Sequence, residues 1–157
     1  MDYSLIIRKA IPEDAEGIWE VLQESFKKYA DDVGLNYTIP ALMETTEDIR
    51  TAIKTKDVIV ALLNGTPVGT LRLETNSDKT VYLTRFGVRL QYHNVGIGQT
   101  LMSVVDNQMI SKGIKRIYLH TASKNSDLVR FYYGRGFYVL STGDDRGYIR
   151  ALMVKDY

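Results

Sequence analysis

VYLTRFGVRLQYHNVGIGQTLMSVVDNQMISK, residues 81–112, joins three unlike pieces in a fixed order. Val81 to Val88 is rich in β-branched and aromatic residues and free of proline, the composition of a strand partly covered on both faces. A polar bend follows, and then Gly96-Ile97-Gly98. Beyond the glycines, Leu101, Val104, Val105, Met109 and Ile110 recur at three- and four-residue steps, which predicts an amphipathic helix from about Gly98 to just before Gly113. Strand, glycine turn and helix in this order make an anion seat. The open N–H groups and positive dipole end of the helix face the turn, and glycines let a phosphate approach the main chain. The spacing is neither G-x-G-x-x-G nor GxxxxGK[ST], so the two common nucleotide loops are not encoded.

Upstream, Val58 to Leu63 and Val68 to Glu74 read as strands joined by the hairpin signal Asn64-Gly65-Thr66-Pro67. A polar turn, Asn76 to Lys79, leads from them into the strand at Val81, giving an antiparallel meander. Ser4 to Lys9 is a short strand, and Ile11-Pro12-Glu13-Asp14 puts proline and two acids where a helix begins. That helix is predicted to reach about Tyr29, with Ile18, Val21, Leu22 and Phe26 on its buried face. Ala30 to Leu42 keeps no period and reads as a surface loop, and Thr46-Glu47-Asp48 opens a second helix ending at Lys54 and Lys56.

Downstream, Ile114 to Thr121 must lie beside the Val81 strand through a right-handed crossover, as a parallel pair. Ser123 to Ser126 caps a helix over Asp127 to Arg135, which Gly136 ends. Phe137 to Leu140 and Tyr148 to Val154 close the chain as strands. The predicted fold is α/β (α+β), a mixed and mostly antiparallel sheet of six to seven strands, splayed at one parallel pair, with about four helices in one domain over residues 1–157.

Composition narrows the chemistry. With 157 residues, 45% of them hydrophobic, there is enough chain for one well-buried core and too little for two ordinary domains. Twenty Lys and Arg against nineteen Asp and Glu leave a charge of +1, so no global field draws nucleic acid or an anionic membrane. Anion binding has to be local. Without cysteine there is no disulfide, thiolate nucleophile or thiol metal site, and the isolated His93 and His120 make no zinc spacing, so no metal is expected. The same lack of cysteine fits a cytoplasmic location. MDYSLIIRKA has neither a basic start nor a long apolar run, and no window reaches the length of a membrane span.

Phe86-Gly87-Val88 with His93-Asn94-Val95-Gly96-Ile97-Gly98-Gln99 looks like a strand end followed by a Q/R-x-x-G-x-G/A pyrophosphate loop. Asn125 with Phe131-Tyr132-Tyr133-Gly134-Arg135-Gly136-Phe137 looks like an N-x(6)-Y motif with its trailing glycine and phenylalanine. Together, at this separation, they resemble the GNAT superfamily of acyl-CoA-dependent N-acyltransferases, and the likeness covers nearly the whole chain from Ile7 onward. One departure is plain: His93 stands where the family usually has Gln or Arg. The loop works mainly through backbone N–H groups, so this puts cofactor affinity in question and leaves the site itself in place.

The resemblance implies acetyl-CoA as cosubstrate and direct attack of an amine on its thioester in a ternary complex. The pantetheine arm would lie in the gap at the parallel pair, along Phe86, Gly87 and Val88. The amides of Asn94, Val95, Gly96, Ile97, Gly98 and Gln99 would hold the pyrophosphate, and Asn125 would bond the pantetheine as well as cap its helix. A main-chain N–H near Phe86 to Val88 would hold the oxyanion. The hydroxyl of Tyr132 would meet the leaving thiolate. A phenol near ~10 is a poor acid toward a thiol near ~8.5, by roughly 2 kcal/mol, so hydrogen bonding is as much its role as proton donation.

His120 lies five residues before Asn125, on the fifth strand, where some members such as the ribosomal-protein N-terminal acetyltransferases carry a glutamate base. It is the candidate base. The alternatives are a histidine packed on the sheet face beside Arg116 and Tyr118, and a water ordered by Tyr82 and Thr84 that relays the proton. The acceptor pocket is expected from Asp31 to Leu42, the start of the second helix and the hairpin from Tyr138 to Arg150. Asp31, Asp32 and Glu44 would attract a cationic amine or else be solvated loop charges, and Tyr37 and Tyr148 would wall the pocket. The expected acceptor is a small-molecule amine. A protein N-terminus or lysine is the alternative within catalysis, and a non-catalytic acyl-CoA-binding sensor or assembly subunit is the alternative outside it. A homodimer in which the closing strand pairs with its mate is also allowed.

Overall fold

The computed structural model describes residues 4–157. Two apolar strands, β2 (Asp57–Leu63) and β3 (Thr66–Thr75), meet at Asn64-Gly65, whose φ values of 51° and 85° make the tight left-handed turn that matches strand twist. β4 (Thr80–Val88) returns antiparallel to β3, completing the meander. β1 (Leu5–Lys9) joins on the far side of β2, and β5 (Arg116–Ala122) lies against β4 as the parallel pair. With β6 (Tyr138–Gly143) and β7 (Arg150–Asp156) the sheet has seven strands in the order β1-β2-β3-β4-β5-β7-β6.

The parallel pairing is short. β4 and β5 meet only at Thr80↔Arg116, Val81↔Ile117 and Tyr82↔Tyr118. Past that point β4 stays on β3 as far as Val88↔Gly69, while β5 stays on β7 as far as Ala122↔Arg150, so the two inner edges diverge. A bulge accompanies the divergence. Pairing jumps from Thr84↔Arg72 to Gly87↔Thr70, so β4 spends one residue more than β3, and Arg85 takes a left-handed φ of 55°. An extra residue bends the bulged strand and re-aims its neighbours.

Among the described residues five helices cover the two faces. On one side lie α1 (Ala15–Val33), the short α2 (Pro40–Met43) and α3 (Thr46–Thr55), with Ile18, Leu22, Ile49 and Ile53 packed on Val58 and Val60. On the other lie α4 (Ile97–Ser111), which makes the crossover, and α5 (Ser126–Gly134), with Leu101, Val105, Met109 and Tyr132 packed on Leu71, Val81 and Leu119. None of these helices is long and apolar enough to cross a membrane.

Two expectations need correcting. The stretch Ala30 to Leu42 is not all loop: α1 continues to Val33, because Ala30 is buried on its core face while Asp31 and Asp32 point outward and Lys28 pairs with Asp32 one turn on. Gly34, at φ 84°, then ends the helix. The closing strand, moreover, is no edge. β7 is bonded to β5 on one side and β6 on the other, so the outer strands of the sheet are β1 and β6.

Candidate active site

The anion seat forms where β4 runs into α4. Asn94 and Gly96 take φ values of 66° and 88°, and Gly96 caps α4 without any side-chain hydrogen bond. The first N–H of the turn to find a main-chain acceptor is that of Thr100, on Gly96 O at 3.0 Å. The amides from Asn94 to Gln99 are therefore left for an anion, as a helix N-terminus allows. Gly98 is there for space: a Cβ would come within 3.2 Å of Phe86 and 3.5 Å of Phe131, whose rings stack at 5.7 Å.

His93 does not face this seat as a free side chain. Its Nε2 lies 2.8 Å from Val88 O. A carbonyl only accepts, so Nε2 carries the hydrogen, and the imidazole ties the loop to the strand end. The other groups of Val88 follow from alternation. Arg89 donates to Val68 O on β3 at 2.8 Å, so the polar groups of Val88 point away from β3. With its carbonyl held by His93, Val88 has its N–H left to offer.

From the seat a cleft of about 1050 Å³ runs between the diverging strands to the far side of the sheet. Phe86, Gly87, Val88, Asn125, Tyr132 and the glycine loop line it on the α4 and α5 side. Asn125 Oδ1 accepts the N–H of Leu128 at 3.2 Å, so the helix-capping role is filled, and the side chain still borders the cleft. Tyr132 is only 5% exposed, and burial, with Tyr29 beside it, pushes its phenol well above the ordinary value. On the inner edge of β5 the N–H of Ala122 is taken by the Tyr29 hydroxyl at 2.9 Å.

At the other end, Tyr82, on the last paired rung with Tyr118, reaches His120 two residues further along β5, with Oη and Nδ1 2.6 Å apart. Tyr118 stacks against Tyr82 at 4.8 Å. Burial pulls the His120 pKa below the ordinary histidine value, and the charge of Arg150, then that of Arg146, pulls the same way against Asp145. Burial raises the Tyr82 phenol, and the same two arginines oppose it. The imidazole is thus neutral at pH 7 and its partner phenol protonated.

The acids expected to attract a cationic amine are engaged elsewhere. Glu44 takes two hydrogen bonds from Arg72, at 2.8 and 3.2 Å, and one from the Arg85 Nε at 3.1 Å. Burial would raise its pKa, but Arg72 and Arg85 outweigh that and hold it below the usual carboxylate range. Asp32 pairs with Lys28 at 2.7 Å, and Asp31 accepts from Tyr37 Oη at 2.8 Å. Tyr37 is exposed and outside the cleft, whereas Tyr148 borders it. Ile39, Pro40 and Ala41 border the cleft, while the start of α3 does not. Thr84 also borders the cleft.

Tyr29 and the arginine pair Arg146 and Arg150 were not singled out by sequence reasoning. Tyr29 marked only a helix end, and an arginine at the foot of a strand has no local signal. Among the described residues no group of three or more His, Cys, Asp or Glu is placed to hold a metal ion.

Residues 16–137 match the family described as Acetyltransferase (GNAT) family. The spermidine N(1)-acetyltransferase of Thermoplasma acidophilum is 30% identical over 148 residues, 88% of this chain and 91% of that protein. The structure of PaiA N-acetyltransferase from Thermoplasma acidophilum in complex with coenzyme A superposes with a TM-score of 0.85 at 27% identity, covering 98% of this chain and 99% of that one. An acetyltransferase of the GNAT family from Streptococcus pneumoniae, 20% identical, shares the fold with a TM-score of 0.77 over 98% of this chain and 99% of that one.

Proposed function

The chain belongs to the GNAT family of acetyltransferases and uses acetyl-CoA to acetylate an amine, and we propose that the amine is a small molecule attacked directly in a ternary complex. The observation that carries the reading is the cleft itself, which joins unpaired amides at Asn94 to Gln99 to a buried tyrosine hydroxyl through a gap between two strands. The residues fit acetyl-CoA: an anion seat for its pyrophosphate, a free N–H at Val88 for an amide carbonyl of its arm, and a glycine at 98 against which the stacked rings of Phe86 and Phe131 pack closely beside the loop.

When bound, acetyl-CoA supplies a thioester carbonyl; a C–N bond forms, the C–S bond breaks, and CoA leaves as the thiol. The rest falls to this chain. The amine must lose a proton; in the tautomer whose Nδ1–H donates to the Tyr82 oxygen, His120 has Nε2 free to take it, and the contact holds the ring in place. Near the bulge at Arg85 and Phe86, a main-chain N–H freed from strand pairing stabilises negative charge on the carbonyl oxygen. Tyr132 donates its hydrogen bond to the departing sulfur. Burial makes its phenol a weaker acid, so stabilising the thiolate outweighs outright proton transfer.

A small acceptor is supported by the named activity of the Thermoplasma acidophilum relative on spermidine. A cytoplasmic location, where no disulfide is needed, is part of the same proposal. Thiol release from acetyl-CoA against small amines and short peptides tests it: turnover confined to peptides, or no turnover at all, contradicts the reading.

A further inference from the structure

The acceptor end of the cleft sets two arginines, Arg146 and Arg150, against one exposed carboxylate, Asp145. Arg150 opens β7, and its side chain is 8% exposed. Its Nε has no hydrogen-bond partner. Its nearest carboxylate, Asp145, stands at 3.3 and 3.4 Å, beyond the range of a strong charge-assisted bond, with its own side chain 75% exposed. Arg146, exposed on the preceding turn, borders the same cleft. Four elements face this spot: β4 brings Tyr82, β5 brings His120, β6 brings Ser141, Thr142 and Gly143, and the turn before β7 brings Asp145 and Arg146. Only Asp145 among them is acidic, and it is turned to water. Glu44, Asp31 and Asp32, which might have balanced the arginines, are occupied by Arg72 and Arg85, by Tyr37 and by Lys28.

A guanidinium taken out of water with one donor unused is costly unless a ligand completes it. The planar fork of arginine suits a carboxylate, bonded through two parallel N–H groups. A polycation placed here would instead meet two like charges.

Building on the amine-acetylation reading above, we infer that the acceptor is an amine that also carries a carboxylate, an amino acid in the broad sense, with Arg150 binding the carboxylate and Arg146 assisting. Arg150 and His120 line the same cleft, and Leu152, two residues on from Arg150, pairs with His120 across β5 and β7, so the carboxylate and the reacting amine sit near one another on the molecule. The acceptor is therefore compact. The inference sets this chain apart from a relative named for a polyamine.

The test is thiol release with free L-amino acids, the same amino acids as α-amides, and spermidine and putrescine, using the wild type, Arg150→Gln and Arg150→Lys. For at least one amino acid, wild-type kcat/KM is expected to exceed that of its amide by roughly thirtyfold or more. Arg150→Gln collapses that ratio toward one, and Arg150→Lys keeps part of it. Both acceptors are compared on the same sample, so the ratio does not depend on how much of a variant is folded. Amides or polyamines turned over as well as the acids, or an unchanged ratio in Arg150→Gln, would overturn the inference and leave acetylation of amines standing. Tight acetyl-CoA binding with no turnover on any of the three classes would overturn both.

Discussion

Tyr82 Oη and His120 Nδ1 are 2.6 Å apart, joining β4 to β5 just past the last paired rung, Tyr82↔Tyr118, where the strands separate. The contact uses the nitrogen nearer the main chain and leaves Nε2 to act. Tyr82→Phe removes the partner that orients the ring without touching the imidazole. Steady-state kinetics should show kcat reduced about tenfold, the usual scale for losing a group that orients a histidine, with KM for acetyl-CoA unchanged.

The base role proposed for His120 implies a pH dependence. A base must be neutral, and burial with Arg150 and Arg146 holds its pKa below ~6.5, so kcat/KM should rise through an ionisation on the acid side of that value and level off by pH 7. In His120→Ala that limb should vanish, leaving only the ionisation of the acceptor amine at ~8 or above, with the rate at pH 7 down about a hundredfold. An acid limb unmoved in the variant would exclude His120 as the base.

The glycine loop makes a separate prediction. Gly96 sits at φ 88°, where a Cβ costs about 1–2 kcal/mol, while nothing crowds the space beside it. Gly96→Ala should therefore raise KM for acetyl-CoA roughly tenfold by turning amides out of the seat, with little change in KM for the acceptor. Calorimetric titration with CoA would show the same loss.

Glu44 is a matter of stability. Its side chain is 17% exposed, and Arg72 beneath it is 5% exposed, so Glu44→Gln leaves two arginines poorly paired. The cost should be about 3 kcal/mol at pH 7, which for a chain of this length lowers Tm by ~6–12 °C. The sign with pH follows from the depressed pKa. The carboxylate contributes fully above its unfolded value of ~4.3 and loses that contribution as pH falls through the lower folded value, so wild type and variant should converge in acid.

Much of this was readable from residues 81–112, because the apolar period changes there from two to about 3.6 and glycines mark the junction. The meander, the crossover and the anion seat all follow from that change. The bulge was not readable, since it is an arginine, Arg85, that takes the left-handed conformation, and nothing in TRFGV announces it. Contacts made across the chain were hidden for a different reason. Arg72 and Arg85 meet Glu44 over 28 and 41 residues, and only the packed sheet reveals that this acid is bound and not free to draw in an amine. The last turn of α1 was lost because Asp31 and Asp32 read as loop, though both sit on its outer face. The position of β7 inside the sheet follows from long-range pairing that local pattern does not carry.

The role proposed for Tyr132 is the sharpest test of the account, since a module that only binds acyl-CoA has no need of a buried hydroxyl in the cleft. The decisive measurement is thiol release from acetyl-CoA with a panel of small amines, with the acetylated product identified by mass, on the wild type and Tyr132→Phe. The wild type should release thiol only when an amine is present, and Tyr132→Phe should bind acetyl-CoA with the same affinity while kcat falls about a hundredfold or more. Equal turnover by the variant, or tight binding of acetyl-CoA without thiol release for any amine, would contradict it.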